Sequence, residues 1–372
     1  MKICHVTCVH TGQDFRIFYR ECMSLVRKDY TVYEIAPNIS DEVLGGVNIY
    51  SIKMPNNKWK RLLFSRNTVY NKCIQVNADI YHFHDPELIP VGVKLKKKYN
   101  KVIVFDSHED VPAQILSKDW LPKFLRKLIS MLYAYYEKQK LKFYDALVSV
   151  TPNLTSRLCN INSHVFELSN YPLLERTITL DDRKWGNSIC FAGGISEHWL
   201  HENIIKAVNN IECVKYRLAG WGSTKYLSKL RKLDGWKNVD FLGKISFNDV
   251  PLFLAQSTVA MVLNDYVPNV GYKLGSLGNN KLFEAMQAGL PVICTDFILW
   301  KEIIDEWKCG ICVNPHDIEA IRNAVIYLIE NKDIAQQMGD NGRRAVMEKY
   351  NWNTQEKILL EMYKGLVLKV KS

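Results

Sequence analysis

The sequence predicts an α/β protein built from two doubly wound parallel-sheet domains in tandem. Short β-branched and aromatic runs alternate with longer helix-period segments from the first residue, the pattern of parallel strands joined by crossover helices. The length of 372 residues suits two domains, since single domains run ~100–200 residues. The alternation lapses once, in the polar, Pro-containing stretch from Ser169 to Asn187, and then resumes.

In the first half the apolar runs place strands at Lys2–Val9, Thr31–Ile35, Val47–Ile52, Ile80–His84, Lys101–Asp106 and Ala146–Val150, with a further strand near 164–168. The second half repeats the pattern at Ser188–Ala192, Lys215–Ala219, Val239–Leu242, Thr258–Leu263, Pro291–Cys294 and Gly310–Val313, and a helical tail follows from Asp317. The division is therefore residues 1–170 for a Rossmann-like first domain, 171–187 for a linker and 188–350 for a Rossmann-like second domain. Residues 351–372 form a C-terminal helix expected to pack back toward the first domain. Ligands bind outside the carboxyl ends of such strands, so the two sheets are expected to face each other across a cleft that holds the site.

Composition narrows the function. Apolar residues at 47% and charged residues at 24% are ordinary globular values. No apolar run approaches the ~20 residues that cross a bilayer, and the start is too polar-interrupted for a signal peptide, so a cytoplasmic protein is expected. Cys4, Cys8, Cys190 and Cys294 lie in strand-like runs as small hydrophobes, and the lone Cys309-x-x-Cys312 lacks the second pair that zinc takes. No metal and no cofactor are expected. The net charge of +10 admits nucleic acid, an anionic membrane or phosphorylated substrates, but the basic residues are dispersed with no recognised module, which excludes nucleic acid.

The clearest local signal runs from Gly278-Asn279-Asn280-Lys281 through Glu284 to Gly289-Leu290-Pro291. A Gly/Asn loop opens an amphipathic helix, Gly289 ends it, and a buried strand follows. Free N–H groups at that helix start suit a diphosphate. Glu284, one turn in, either accepts bonds from two ribose hydroxyls or merely complements the helix dipole. His108, within Asp-Ser-His-Glu-Asp at a strand end, reads as functional, and His84 is evenly balanced, while His5 and His82 lie inside strand patterns and read as core. The first loop, His10-Thr11-Gly12, has no Gly-x-Gly-x-x-Gly, which argues against NAD. Asp14 and Arg16 beyond it face a ligand or form an ion pair with each other. Between Lys118 and Leu128 basic and large apolar residues interleave. Trp120, Phe124 and Leu128 would face an anionic membrane, or the stretch is a solvated helix packed on the sheet.

The run from Lys281 to Ile293 resembles the donor-binding signature of retaining family 4 (group 1) glycosyltransferases, which have the GT-B fold. His10-x-x-x-Asp14-x-Arg16-Ile17, Phe83-His84-Asp85-Pro86-Glu87, Phe105-Asp106-Ser107-His108-Glu109-Asp110, Phe191-Ala192-Gly193-Gly194 and Ala219-Gly220-Trp221-Gly222 follow in the family's order over nearly the whole chain. The resemblance implies metal-independent, retaining transfer from a nucleotide diphosphate sugar, a UDP-sugar favoured over a GDP-sugar, to a saccharide or lipid-linked acceptor in bacterial surface-polysaccharide assembly. It implies donor contacts from Gly193, Gly194, Arg217, Gly220, Ser276, Gly278, Asn279, Asn280 and Glu284, a His108 that approaches the donor, and acceptor contacts from His10, Asp14, Arg16 and His84. Two departures stand out. Ser276 occupies the place of the first glutamate of the family's Glu-x7-Glu motif, and the loop Gly194–Leu200 lacks the family's Arg and Lys, leaving Lys281, Lys273 or Arg217 to neutralise the leaving group. A sugar-nucleotide 2-epimerase of the same architecture and a non-catalytic nucleotide-sugar-binding partner are the alternatives.

Overall fold

The computed structural model describes residues 1–38, 40–55, 58–118, 120–176, 186–209 and 211–371, apart from the side chains of 58–64, 176 and 247. Two parallel-sheet α/β units emerge, one of Met1–Asn170 with Asn353–Ser372 and one of Tyr171–Trp352. Residues 177–185, most of the expected linker, lie outside the described residues.

The first unit holds β1 (Lys2–Val6), β2 (Thr31–Ala36), β3 (Glu42–Leu44), β4 (Val47–Ser51), β5 (Ile80–Phe83), β6 (Val102–Ser107), β7 (Ala146–Ser149) and β8 (Val165–Glu167). They form one sheet in the order β3-β4-β2-β1-β5-β6-β7-β8, parallel throughout except for the β3–β4 hairpin. Successive connections leave β1 in one direction and β5 in the other, so the crevice favoured for ligands lies at the carboxyl ends of this pair. Every residue of β5 and β6 is buried, as expected of strands covered on both faces.

β3 falls where the sequence reading placed no strand. Its three residues pair at the sheet edge through a turn at Gly45 and Gly46, whose φ values of 55° and 85° suit a two-residue hairpin. β1 stops three residues short of the expected Val9, because Asp85 captures the chain: Thr7 Oγ1 and the Cys8 amide donate to Asp85 Oδ2 at 2.8 and 2.6 Å. That departure turns the His10 loop out over the sheet end.

The second unit holds β9 (Ser188–Ile195), β10 (Lys215–Gly222), β11 (Val239–Gly243), β12 (Val259–Val262), β13 (Val292–Thr295) and β14 (Gly310–Val313), all parallel, in the order β11-β10-β9-β12-β13-β14. Here the reversal falls between β9 and β12. Tyr171 already packs within this unit, with its ring 4.8 Å from Phe283 and 5.5 Å from Tyr350. The expected tail is three helices, Ile318–Glu330, Lys332–Glu348 and Trp352–Lys371. Side chains of the last one join the first unit, where Glu356 pairs with Arg27 and Lys369 with Asp145.

Candidate functional site

In the second unit, helix α1 (Asn280–Gln287) begins beyond the sheet's reversal point. Asn279 caps it, accepting the Lys281 amide at 3.0 Å, and Ser276 Oγ accepts the Gly278 amide at 3.1 Å. Among the described residues the amides of Asn279 and Asn280 donate to no acceptor. A helix start with N–H groups left over and a positive dipole end is an anion site.

Two charged side chains of α1 reach a pocket formed with Phe191 and Ala192 of β9 and Met261 and Val262 of β12. Lys281 lies half-buried across the end of β9, its Nζ 5.4 Å from the Phe191 ring and 5.6 Å from the Trp199 ring. Burial holds its ammonium below the ordinary lysine value of 10.5, against the opposing pull of Glu284. Residues three apart on a helix are neighbours, yet the side chains of Lys281 and Glu284 make no ion pair, and neither side chain makes a hydrogen bond among the described residues. Opposite charges one turn apart thus both remain open to a ligand.

The glycines explain how the lysine fits. A Cβ on Gly193 would stand 2.2 Å from Lys281 Nζ, so a side chain there would evict the ammonium. A Cβ on Gly220 would stand 1.8 Å from the Gly193 carbonyl oxygen, so Gly220 lets β10 pass β9 at that point. Gly194 has open space around it. Of the other candidate bases, Arg217 is committed elsewhere. Its Nη1 donates to the carbonyls of Phe253 and Gln256 and to Ser257 Oγ, capping the helix Val250–Ala255. That engages the Nη1 end of the guanidinium expected to face the donor. Lys273 is exposed, with Nζ 5.5 Å from the Tyr266 ring.

In the first unit the carboxyl ends of β1, β5 and β6 bring His10, Asp14, His84, Asp85, Asp106 and His108 together. Asp14 accepts from the amides of Arg16 and Ile17 at 2.8 and 3.0 Å and pairs with His10 Nδ1 at 2.9 Å. His108 Nε2 lies 2.9 Å from Asp106 Oδ2 and 3.2 Å from His84 Nδ1, which leaves its Nδ1 without a partner among the described residues. The rings of His10 and His108 are 5.4 Å apart.

Arg16 and Asp14 are not an ion pair with each other. The buried guanidinium of Arg16 instead grips Asp106 through two hydrogen bonds, Nε to Oδ2 at 2.8 Å and Nη2 to Oδ1 at 3.0 Å, and donates to the Leu168 carbonyl and Asn170 Oδ1. Burial alone would raise the Asp106 carboxyl, but Arg16, His108 and His84 outweigh it and hold it well below its ordinary range. Burial holds His84 down to about 4, with Asp106 opposing, so the imidazole is neutral. Arg16 therefore positions Asp106, and Asp106 with His84 positions His108. Sequence reasoning gave Asp106 no role, although an acidic residue ending a buried strand two residues before a histidine was the available signal.

The sulfurs of Cys294 and Cys312 lie 3.7 Å apart on neighbouring strands. Among the described residues, groups of three or more metal-type ligands occur in the first unit alone.

Comparison with known proteins finds a family match in each half of the chain. The family described as "Glycosyl transferases group 1" matches residues 181–345, and "Glycosyltransferase Family 4" matches 16–165. The chain is 27% identical over 188 residues to an uncharacterized glycosyltransferase of Methanocaldococcus jannaschii, covering 48% of this chain and 45% of that protein. It is 28% identical over 148 residues to a GDP-mannose-dependent α-(1-6)-phosphatidylinositol monomannoside mannosyltransferase of Mycobacterium tuberculosis, covering 39% and 38%. The matches thus span less than half the length of these relatives. In fold it resembles sucrose-phosphate synthase of Thermosynechococcus elongatus, with a TM-score of 0.79 at 16% identity over 99% of both chains.

Proposed function

The chain belongs to the group 1, family 4 glycosyltransferases of GT-B fold, and on that premise we propose that it moves a sugar from a nucleotide diphosphate sugar to a saccharide or lipid-linked acceptor. The observation that carries this reading is the α1 start, where unbonded amides, an unpaired half-buried ammonium and an unpaired carboxylate lie within one helical turn. A diphosphate answers the first two, and a pentose diol answers the third. Asn279 and Asn280 offer amides, Lys281 offers charge, Glu284 takes the ribose hydroxyls, Gly193 makes room for the Lys281 side chain, and Gly194 leaves open space at the strand end.

Transfer proceeds with retention. The bond from the anomeric carbon to the phosphate oxygen breaks with its electron pair on the diphosphate, the acceptor oxygen joins the same face of the carbon, and its proton passes to a phosphate oxygen. No protein nucleophile is needed, and Lys281 with the helix amides stabilises the departing charge without a catalytic metal. His108, held through Nε2, presents Nδ1 to a sugar hydroxyl or phosphate oxygen, and His10 and Asp14 form the polar rim that takes the acceptor. Arg16 and His84 act through Asp106 and His108.

Surface-polysaccharide assembly with a lipid-linked acceptor is the proposed setting, at the inner face of the cytoplasmic membrane. Support comes from the helix Lys123–Leu141, on which Phe124, Leu128, Met131, Leu132 and Tyr135 are exposed beside Lys123, Lys127 and Lys138, with Trp120 exposed just before it. Among the described residues no helix is long and apolar enough to cross a membrane.

The test is a panel of UDP- and GDP-sugars read by thermal shift, followed by transfer assays with saccharide and lipid acceptors. The expected result is stabilisation by a UDP-sugar and acceptor-dependent release of its nucleoside diphosphate. Stabilisation by GDP-mannose alone would correct the base. Conversion of the donor to an epimer without acceptor would make the protein an epimerase, and binding without transfer or hydrolysis would make it a non-catalytic partner.

A further inference from the structure

Four metal-type side chains meet in the dry interior of the first unit, beneath the polar centre. The parallel register sets His5 of β1 opposite His82 of β5, and His84, two residues further on, shares the face of His82. The helical turn Ile17–Cys22 lays Glu21 against them. His5 Nδ1 is 3.0 Å from His84 Nε2, and Glu21 Oε2 is 3.6 Å from His5 Nδ1 and 3.7 Å from His82 Nδ1. One ligand atom from each residue lies within 4.8 Å of all the others, and all four residues are buried. Ligand bonds of ~2.0–2.2 Å set the donor atoms of a tetrahedral zinc ion roughly 3.3 Å apart, and the separations here, 3.0 to 3.7 Å for three pairs and within 4.8 Å for the rest, need side-chain shifts of about an ångström to meet it.

The surroundings point the same way. Both Glu21 oxygens and His82 Nε2 are buried without a hydrogen bond. Arg16 Nε stands 3.1 Å from Glu21 Oε1, but that guanidinium is already engaged by Asp106, and Oε2 is turned to the imidazoles. The outward nitrogens meet oxygen partners, His84 Nδ1 at 3.3 Å from Asp106 Oδ2 and His5 Nε2 at 3.3 Å from the Tyr363 hydroxyl, the arrangement that orients metal-ligating imidazoles. The Tyr363 hydroxyl is also 2.9 Å from His82 Nδ1, which leaves the unbonded Nε2 as the nitrogen His82 has free for a metal.

We propose that His5, His82, His84 and Glu21 bind one divalent transition-metal ion, zinc by the chemistry of three imidazoles and a carboxylate. Four protein ligands in a closed, buried setting make the site structural. It ties β1 to β5 and fixes the outward face of His84, against which Asp106 and His108 are set. The site takes no part in the transfer step, so it stands apart from the reading of the donor centre.

The test uses the full chain without a polyhistidine tag, expressed in zinc-supplemented medium, dialysed against metal-free buffer and analysed by inductively coupled plasma mass spectrometry. Close to one zinc per chain is expected, lost in His82→Gln. In case that variant fails to fold, the wild-type protein is also refolded from denaturant with zinc, with cobalt(II) or with chelator. Zinc should raise the thermal transition over chelator, and cobalt should give the visible absorption of a tetrahedral N/O site. Metal below about one tenth of an equivalent together with equal transitions in zinc and chelator overturns the proposal, leaving a cluster held by hydrogen bonds. Zinc that persists undiminished in a folded His82→Gln overturns it too, by placing the ion elsewhere.

Discussion

Replacing Lys281 with Met removes the ammonium and keeps most of the stem, so it separates the donor-binding role proposed for that charge from its effect on stability. A hydrogen bond to a charged group contributes about 1.5–3 kcal/mol, so the loss of the Lys281–diphosphate contact should weaken donor binding roughly ten- to a hundred-fold. Stability should respond differently. The contacts with the rings of Phe191 and Trp199 contribute about 0.5–1 kcal/mol, and removing a half-buried charge that has no partner offsets that. A net change within about 1 kcal/mol moves Tm by no more than ~4 °C in a unit of this size. The charge also predicts a pH response. Burial lowers the Lys281 value in the free protein, so the cost of the charge is fully present below that lowered value and is relieved as pH rises from it toward 10.5. A diphosphate favours the charged form, so wild-type affinity should decline across that window while Lys281→Met stays flat. Calorimetric titration with a nucleoside diphosphate and a thermal melt measure both quantities. Unchanged affinity, or a melt lowered by more than ~10 °C, would refute the reasoning by making Lys281 a structural residue.

Other substitutions test the remaining parts. Glu284→Ala should weaken nucleotide-sugar binding by about 1–3 kcal/mol with the circular dichroism spectrum and Tm unchanged, as calorimetry and melting would show. His108→Ala should lower kcat more than donor affinity, and an equal loss in both would assign it to binding alone. Arg16→Met leaves Asp106 and Glu21 buried without their cation and should cost about 3–5 kcal/mol in urea unfolding, whereas a change below 1 kcal/mol would remove Arg16 from its anchoring role. Phe124, 81% exposed, is dispensable for the fold, so Phe124→Glu should lower sedimentation with anionic vesicles and leave transfer to a water-soluble acceptor unaltered.

The fold was legible because the central strands of both sheets are buried on two faces and read as apolar runs; Val102–Ser107 carries all six residues inside. The hairpin strand Glu42–Leu44 was not, since an edge strand of three residues has no such run and is announced only by its Gly45–Gly46 turn. The cluster at the Asn280–Gln287 helix start was legible for a local reason: Asn279, Lys281 and Glu284 lie within six residues, so helix geometry alone brings them together. Arg217 shows the limit of that reasoning. Its partners are carbonyls 36 and 39 residues away, at a helix end whose position only the folded sheet decides. Arg16 misled for the same reason, because its nearest acid in sequence is Asp14 and its partner in space is Asp106, 90 residues on. His82 and His84 advertise a shared face by their spacing, but the β1–β5 register that adds His5 is a property of the sheet.

The most direct measurement is a crystal structure of the protein with a nucleoside diphosphate sugar. The account predicts diphosphate oxygens at ~2.7–3.1 Å from Lys281 Nζ and from the amides of Asn279 or Asn280, with both ribose hydroxyls on the Glu284 carboxylate. A nucleotide bound away from the Asn280–Gln287 helix, or one whose ribose leaves Glu284 in solvent, would contradict it.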